Sequence, residues 1–195
     1  MKILIGCEFS QVVTQAFRLK GHDAFSCDIL PGEINSKWHY QEDIIPLLAE
    51  KWDMICAFPP CTHLSKAGAH LWKQKQANGL QQDAFEFVKL IWNANSPKIC
   101  IENPIGWLNT NWMKPIQIVE PYWFGHIFKK ATCLWLKNLP KLIPTNLVTP
   151  TRSWVNSSSN YRPGCKMSNK GMHRNQKTRS KTFQGLADAM ANQWG

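Results

Sequence analysis

Apolar residues in this chain fall into a short unbroken run, then into helical spacing, then into another run, a succession that predicts alternating strands and helices. Lys2 to Gly6, with Ile3, Leu4 and Ile5 in sequence, reads as a strand covered on both faces. Ser10 stands as N-cap to a helix whose Val12, Val13, Ala16, Phe17 and Leu19 share a face, and Gly21 stops it. Ala24 to Asp28 reads as the second strand. Strand, helix and strand in this order predict a parallel sheet with a right-handed crossover. Beyond a loop at Pro31-Gly32, Ile44 to Lys51 reads as a short helix feeding the run Trp52-Asp53-Met54-Ile55-Cys56-Ala57-Phe58, a central strand.

A long helix is expected from about Leu80 to Asn95, since Ala84, Phe85, Phe87, Val88, Ile91 and Trp92 leave one polar and one packed face. Pro97 ends it, and Lys98 to Glu102 is the next short strand. Tyr122 to Phe128 and Ala131 to Leu136 read as an antiparallel hairpin about Lys129-Lys130. Past Pro140 the periodicity dissolves into Asn, Ser, Thr, Pro and Lys, and it returns at Thr182 to Trp194 as a closing helix. Residues 1–139 and 181–195 are therefore read as one α/β domain, and 140–180 as a basic, loop-rich insert.

A chain of 195 residues with 44% hydrophobic content fits one globular domain. No apolar run is long enough to span a bilayer, and no cleavable signal pattern precedes the first strand, so a cytoplasmic location is expected. Seven cysteines without a CxxC pair predict free thiols and no structural metal. The net charge of +10 is unevenly placed. From Pro121 to Ala187 there is no acidic residue but there are twelve Lys or Arg, which leaves eleven basic and thirteen acidic residues elsewhere. Such segregation is the electrostatic footprint of a polyanion binder. Trp154, Tyr161, His173 and Phe183, interleaved with the charges, could stack on bases.

Two chemical groups stand at strand ends. Phe58-Pro59-Pro60-Cys61-Thr62-His63-Leu64-Ser65 puts a thiol where a buried strand opens into a loop, and Glu102-Asn103-Pro104 puts a carboxyl at the end of the next strand. Ligands of open α/β sheets bind beyond the carboxyl ends of the strands, so both groups would face one cleft.

On these motifs the chain resembles the C5-cytosine DNA methyltransferases, whose nucleophile motif is Pro-Cys and whose second motif is Glu-Asn-(Pro or Val). The resemblance implies a Rossmann-like S-adenosylmethionine-dependent methyltransferase fold with a mainly parallel central sheet and a C-terminal antiparallel hairpin. It implies that Cys61 attacks cytosine C6 as a thiolate and that Glu102 binds the N3 and N4 edge of a flipped-out base. Nearby positive charge, or amides of the loop into the following helix, would lower the Cys61 pKa, and burial would raise that of Glu102. Pro60, Ser65, Asn103 and Pro104 would border the base, with Lys130 and Thr132 of Lys130-Ala131-Thr132-Cys133-Leu134 standing where the family carries Gln-x-Arg-x-Arg.

For the cofactor, S-adenosylmethionine, the resemblance points to Gly6, Cys7, Glu8 and Phe9 of a loop with one glycine where the family has two. It also points to Asp28 with Ile29 for the ribose, to Asp43 with Ile44 for the adenine, and to Pro59. Phe183-Gln184-Gly185 approximates the family's Phe-Gly-Asn turn. The short stretch before the last helix replaces a full target-recognition domain, as in compact proteins carried by bacteriophages, so specificity would be short or relaxed. DNA, duplex or single-stranded, is the expected partner, with Arg152, Arg162, Lys166, Arg174, Arg179 and Lys181 on its phosphates. Two alternatives remain open: a pyrimidine-nucleotide C5-modifying enzyme, and a catalytically decayed DNA-binding module.

Overall fold

The computed structural model describes residues 1–154 and 176–195. Strand β1 (Lys2–Gly6) is central, with Ile3, Leu4 and Ile5 fully buried, as an unbroken apolar run requires. Helix α1 (Val12–Leu19) crosses to β2 (Asp23–Asp28), which pairs parallel to β1. The start of α1 differs from the expected Ser10 cap. Gln11 is the capping residue, in the left-handed region at φ 59°, and no side chain of its own closes the helix. Instead the buried Glu8 carboxylate accepts the amides of Val13 (2.6 Å) and Thr14 (3.2 Å) and the Thr14 hydroxyl (2.7 Å). At the other end, Gly21 takes φ 83° and donates to the Arg18 carbonyl, the stop the sequence indicated.

A short edge strand, β3 (His39–Gln41), extends the sheet beyond β2. Then come α2 (Ile45–Leu48) and β4 (Met54–Ala57), which is buried along its length beside β1. A 3₁₀ turn at Lys66–Leu71 and helix α3 (Trp72–Ala77) precede the long helix α4 (Leu80–Trp92), and β5 (Lys98–Pro104) lies parallel to β4. After the one-turn α5 (Leu108–Asn111), β6 (Gln117–Val119) and β8 (Thr132–Lys137) complete a seven-stranded sheet. Its order is β3-β2-β1-β4-β5-β8-β6, with β8 antiparallel to both neighbours. The fold is α/β, with a mixed, mostly parallel sheet.

The expected hairpin about Lys129-Lys130 does not form. Tyr122 lies in a 3₁₀ turn (Pro121–Trp123), and β7, only Phe128–Lys129, pairs with β9 (Arg152–Ser153) in a separate two-stranded sheet. The partner of β8 on that side is β6, which the sequence reading passed over because Ile116, Ile118 and Val119 are interrupted by a single glutamine. That Gln117 side chain exchanges hydrogen bonds with the backbone of Leu142, and Gln193 does the same with Ile143. Residues after Pro140 therefore stay against the domain, with Leu142 buried, rather than dissolving at once.

Helix α6 (Gln176–Ser180) leads to α7 (Gln184–Trp194). Two apolar layers sandwich the sheet. α1 and α7 cover one face, whereas the other holds Leu48, Trp52, Val88, Ile91 and Trp135 under α2 and α4. Among the described residues no helix is long and apolar enough to cross a membrane.

Candidate active site

The strand order reverses between β1 and β4, because β2 and β3 lie to one side of β1 and β4 and β5 to the other. That reversal opens a crevice beyond the carboxyl ends. In the β4–β5 register Ala57 stands opposite Ile101, so the Pro59-Pro60-Cys61 and Glu102-Asn103-Pro104 segments leave adjacent strands side by side.

Backbone bonds lock the two segments together. Trp107 N donates to the Leu64 carbonyl (2.7 Å) and Lys66 N to the Ile105 carbonyl (3.0 Å), with Ser65 and Gly106 bridged between them. Gly106 has no room for a side chain, since a Cβ there would fall far inside contact distance of the Leu64 carbonyl and the Ser65 backbone. Buried Asn103 donates from Nδ2 to the Pro59 carbonyl at 3.0 Å. Cys61 itself begins a tight turn, its carbonyl accepting from Leu64 and Ser65. Nothing in composition or periodicity marks Gly106 and Asn103 as the clamp, although both lie within five residues of Glu102.

Glu102 reaches Thr132, whose hydroxyl donates to it, as expected for the same-face side chain two residues along the neighbouring strand from Leu134, the partner of Glu102. Burial pushes the Glu102 carboxyl above its ordinary range, with the Lys130 ammonium and the Thr132 bond pulling the other way. A small pocket is lined by Glu102, Val119, Pro121, Lys130 and Thr132 and, from the approach to α7, Thr182, Phe183 and Leu186. Cys61 lies outside this lining, yet close enough to Glu102 to feel its charge.

The Cys61 thiol departs from expectation. Its pKa is raised, chiefly by burial and then by the Glu102 carboxylate; Lys130, its own backbone amide and Arg179 oppose the shift without overcoming it. Positive charge is present, but it arrives from Lys130, in the turn before β8, and from α6, and not from the loop into the following helix. Of the four residues expected to act together, Glu102, Lys130 and Thr132 line one pocket, and Cys61 follows the end of the adjacent strand. Pro60 is exposed beside Cys61, and Pro104 closes β5 opposite Thr132.

Beyond the end of β1, Cys7 takes φ 58°, and its thiol is pushed far up by burial and by the charges of Asp28, Cys27 and Asp43. Each aspartate turns its own loop, Asp28 accepting from Leu30 N and Asp43 from Ile45 N, both at 2.9 Å. Neither Oδ2 has a hydrogen bond among the described residues. Ile29 is 75% exposed next to Asp28, whereas Ile44 is buried with its side chain against Gly6. Glu8 is turned under α1, so its carboxylate is committed to the helix and does not face the crevice. Phe9 is buried beneath the Lys177 ammonium.

No model of a known protein family matches the chain, and no curated protein matches it. Of the basic residues expected on phosphates, Arg152 is exposed on β9, Arg179 lies in α6 with its carbonyl accepting from Lys130 Nζ at 3.1 Å, and Lys181 is paired with Glu33 at 2.6 Å. Arg162, Lys166 and Arg174 lie outside the described residues. Among the described residues no group of three or more His, Cys, Asp or Glu could hold a metal ion.

Proposed function

We propose that this chain transfers a methyl group from S-adenosylmethionine to C5 of cytosine in DNA, through a covalent bond between Cys61 and C6 of a base turned out of the stack. The observation that carries the reading is the convergence of one thiol and one carboxyl, each with a raised pKa, on adjacent strand ends beside a single lysine. Two anions cannot be held cheaply so close together in a buried site. A proton on Glu102 therefore favours the thiolate of Cys61, which is the pairing this chemistry needs. The thiolate adds to C6 while the Glu102 carboxyl hydrogen-bonds N3 and supplies its proton there, so that electron density returns to C5. Once C5 has been alkylated, N3 gives its proton back to the Glu102 carboxylate, water takes the C5 proton, and the C5–H electron pair forms the C5–C6 double bond as the sulfur leaves as thiolate. Lys130 offsets the remaining negative charge, and Thr132 fixes the carboxyl through its hydroxyl.

The crevice residues fit S-adenosylmethionine. Asp28 and Asp43 present oxygens with no partner among the described residues at the switch point of the sheet, where Asp28 would hold ribose hydroxyls and Asp43 with the Ile44 amide the adenine edge. When bound, it supplies an electrophilic methyl group on sulfonium. The contribution of Glu8 is to fix the Cys7–Gln11 turn from below. The finer fold assignment, a Rossmann-like methyltransferase, is supported by the β3-β2-β1-β4-β5 order and by the one antiparallel strand, β8, inserted between β5 and β6.

DNA as substrate is favoured by the acid-free stretch from Pro121 to Ala187, which a mononucleotide does not need. The test is incubation with labelled S-adenosylmethionine and, separately, duplex DNA, single-stranded DNA and dCMP, followed by nucleoside analysis. Labelled 5-methylcytosine from DNA, lost in Cys61→Ser while DNA binding persists, is the expected result. Label on dCMP alone would move the substrate to free nucleotides, and no transfer to any of them would overturn the reading.

A further inference from the structure

Helix α7 has no cap of its own. The residue at its N-cap, Phe183, has a side chain that cannot accept a hydrogen bond, so an amide of the first turn needs an acceptor from elsewhere. His126 supplies it: Gly185 N donates to His126 Nε2 at 3.0 Å. A backbone amide can only donate, so Nε2 carries no proton and the neutral ring holds its hydrogen on Nδ1. The ring also lies against Phe183, with centroids 5.0 Å apart, and Gly185 is pressed so closely on the Phe124 carbonyl that a Cβ there would not fit. On its own side, His126 ends the turn that begins at Pro121, whose carbonyl accepts from Phe124 N at 3.0 Å and from His126 N at 3.2 Å. Pro121 on that turn, and Thr182, Phe183 and Leu186 about the start of α7, all line the Glu102 pocket. His126 therefore joins two parts of the pocket wall, the turn from which it comes and the helix it caps.

We propose that His126 is a positioning residue for the Glu102 pocket: with Nε2 unprotonated it caps α7 and seats Thr182 and Phe183 in the pocket wall, and protonation of Nε2 releases them. The inference rests on the reading of this pocket as the place where Glu102 meets the base. An imidazolium fails here twice. It has no lone pair left for Gly185 N, and it sets a positive charge at the end of a helix whose aligned peptide dipoles are already positive there. Among the described residues the charged group that faces His126 is Asp188, on α7 itself, which favours the imidazolium; the turn from Pro121 to Phe124 and the Phe183 ring bring no charge. Gln184 Nε2 donates to Asp188 Oδ1 at 2.8 Å, so that carboxylate is already engaged along its own helix. Burial outweighs Asp188 and holds the His126 pKa below its ordinary 6.5. The cap is thus complete above about pH 6.5 and is lost as pH falls through the lowered value.

Nitrogen–proton magnetic resonance spectra of the full-length protein from pH 8 to 5 test the cap without cofactor or DNA. His126 Nε2 should show the signature of an unprotonated ring nitrogen at pH 8, the ring should titrate with a midpoint below 6.5, and the Gly185 amide resonance should move with that same midpoint. In His126→Gln, whose Oε1 can accept but cannot titrate, the Gly185 amide should stay protected and unmoved across the range. In His126→Ala it should exchange with solvent as an unprotected amide at every pH. A proton on Nε2 at pH 8, or a Gly185 amide that stays still while His126 titrates, overturns the cap. If His126→Ala does not fold, the parent and His126→Gln decide alone. Methyl transfer to DNA then tests the positioning. The rate of the parent relative to His126→Gln should fall at least about threefold one pH unit below the His126 midpoint, where about nine-tenths of the rings carry the second proton. At pH 7.5, His126→Gln should recover most of the rate that His126→Ala loses. A ratio constant with pH overturns the positioning role. Transfer absent from every variant and the parent, with Gly185 responding as described, overturns the proposed function and leaves the cap standing.

Discussion

The two ends of the crevice are held by different kinds of bond. At the thiol end, two loops are tied by backbone hydrogen bonds running between Leu64, Lys66, Ile105 and Trp107, with a glycine at the crossing. At the end proposed for the cofactor, the turn after β1 passes through two residues with positive φ, Cys7 and Gln11, and is fixed by one buried carboxylate from Glu8. Backbone bonds do not titrate, and a carboxylate does. The ties at the thiol end should thus be intolerant of steric change and indifferent to moderate pH, although Cys61 and Glu102 themselves titrate, whereas the Glu8 tie should respond to pH.

The largest effect should come from Gly106→Ala. Its methyl would drive into the Leu64 carbonyl and the Ser65 backbone, neither of which can swing away as a side-chain tip could. Overpacking of this kind costs roughly 1–3 kcal/mol, and the backbone shift that relieves it would move Cys61 relative to Glu102. A misplacement of about 1 Å costs on the order of a hundredfold in rate. Urea denaturation and methyl-transfer assays should show both losses. Gly21→Ala is the control: it meets nothing within 4 Å, so only its φ of 83° is strained, and activity should survive. Equal losses in activity from the two variants would mean that the close contact at Gly106 is not what positions Cys61.

Glu8 gives the next effect, and its sign follows from the raised pKa. Burial pushes its carboxyl up to about 7 against an ordinary 4.5, although Val13, Thr14 and Ser10 donate to it. The folded state then binds more protons than the unfolded chain between those values, so the Glu8 contribution to stability is complete below pH 4.5 and is lost as pH rises through about 7. The span corresponds to at most about 3 kcal/mol. Glu8→Gln cannot ionise, and the difference in unfolding free energy between parent and variant should change with pH across that window and flatten above it. A constant difference from pH 4.5 to 8 would mean that Glu8 does not titrate there.

The contrast also explains what was legible in the sequence. Unbroken apolar runs identified β1, β2, β4 and β5, since a strand buried on both faces leaves no other pattern, and with them the shared end at which Cys61 and Glu102 meet. β6 and β9 escaped because an edge or a three-residue strand has too few apolar positions to show a period, and Tyr122 to Phe128 misled because aromatic residues favour both strands and packed turns. The cap of α1 was misread as Ser10 because capping was sought one residue before the helix, whereas Glu8 reaches it from within a left-handed turn. The Glu102 shift was foreseen from burial alone. That of Cys61 was not, because the competing cations come from α6 and from the turn before β8, remote in sequence, and burial outweighs them.

The smallest effect sharpens the comparison within the thiol end. Asn103 donates to the Pro59 carbonyl at 3.0 Å, but its own Oδ1 is buried and has no hydrogen-bond partner among the described residues. Asn103→Ala removes the donor and the unpartnered acceptor together, so the cost of leaving the Pro59 carbonyl unpaired is partly offset, and about 1 kcal/mol should be lost. Asn103→Asp removes the donor, keeps the acceptor and brings a charge towards the Pro59 carbonyl and Glu102, which should cost about 2 kcal/mol or more at neutral pH and less in acid. The ranking of the two variants in denaturation midpoints at pH 7 tests this. If aspartate proves the milder change, Oδ1 already has a partner, and the bond that ties Asn103 to the thiol loop is not what holds the two strand ends together.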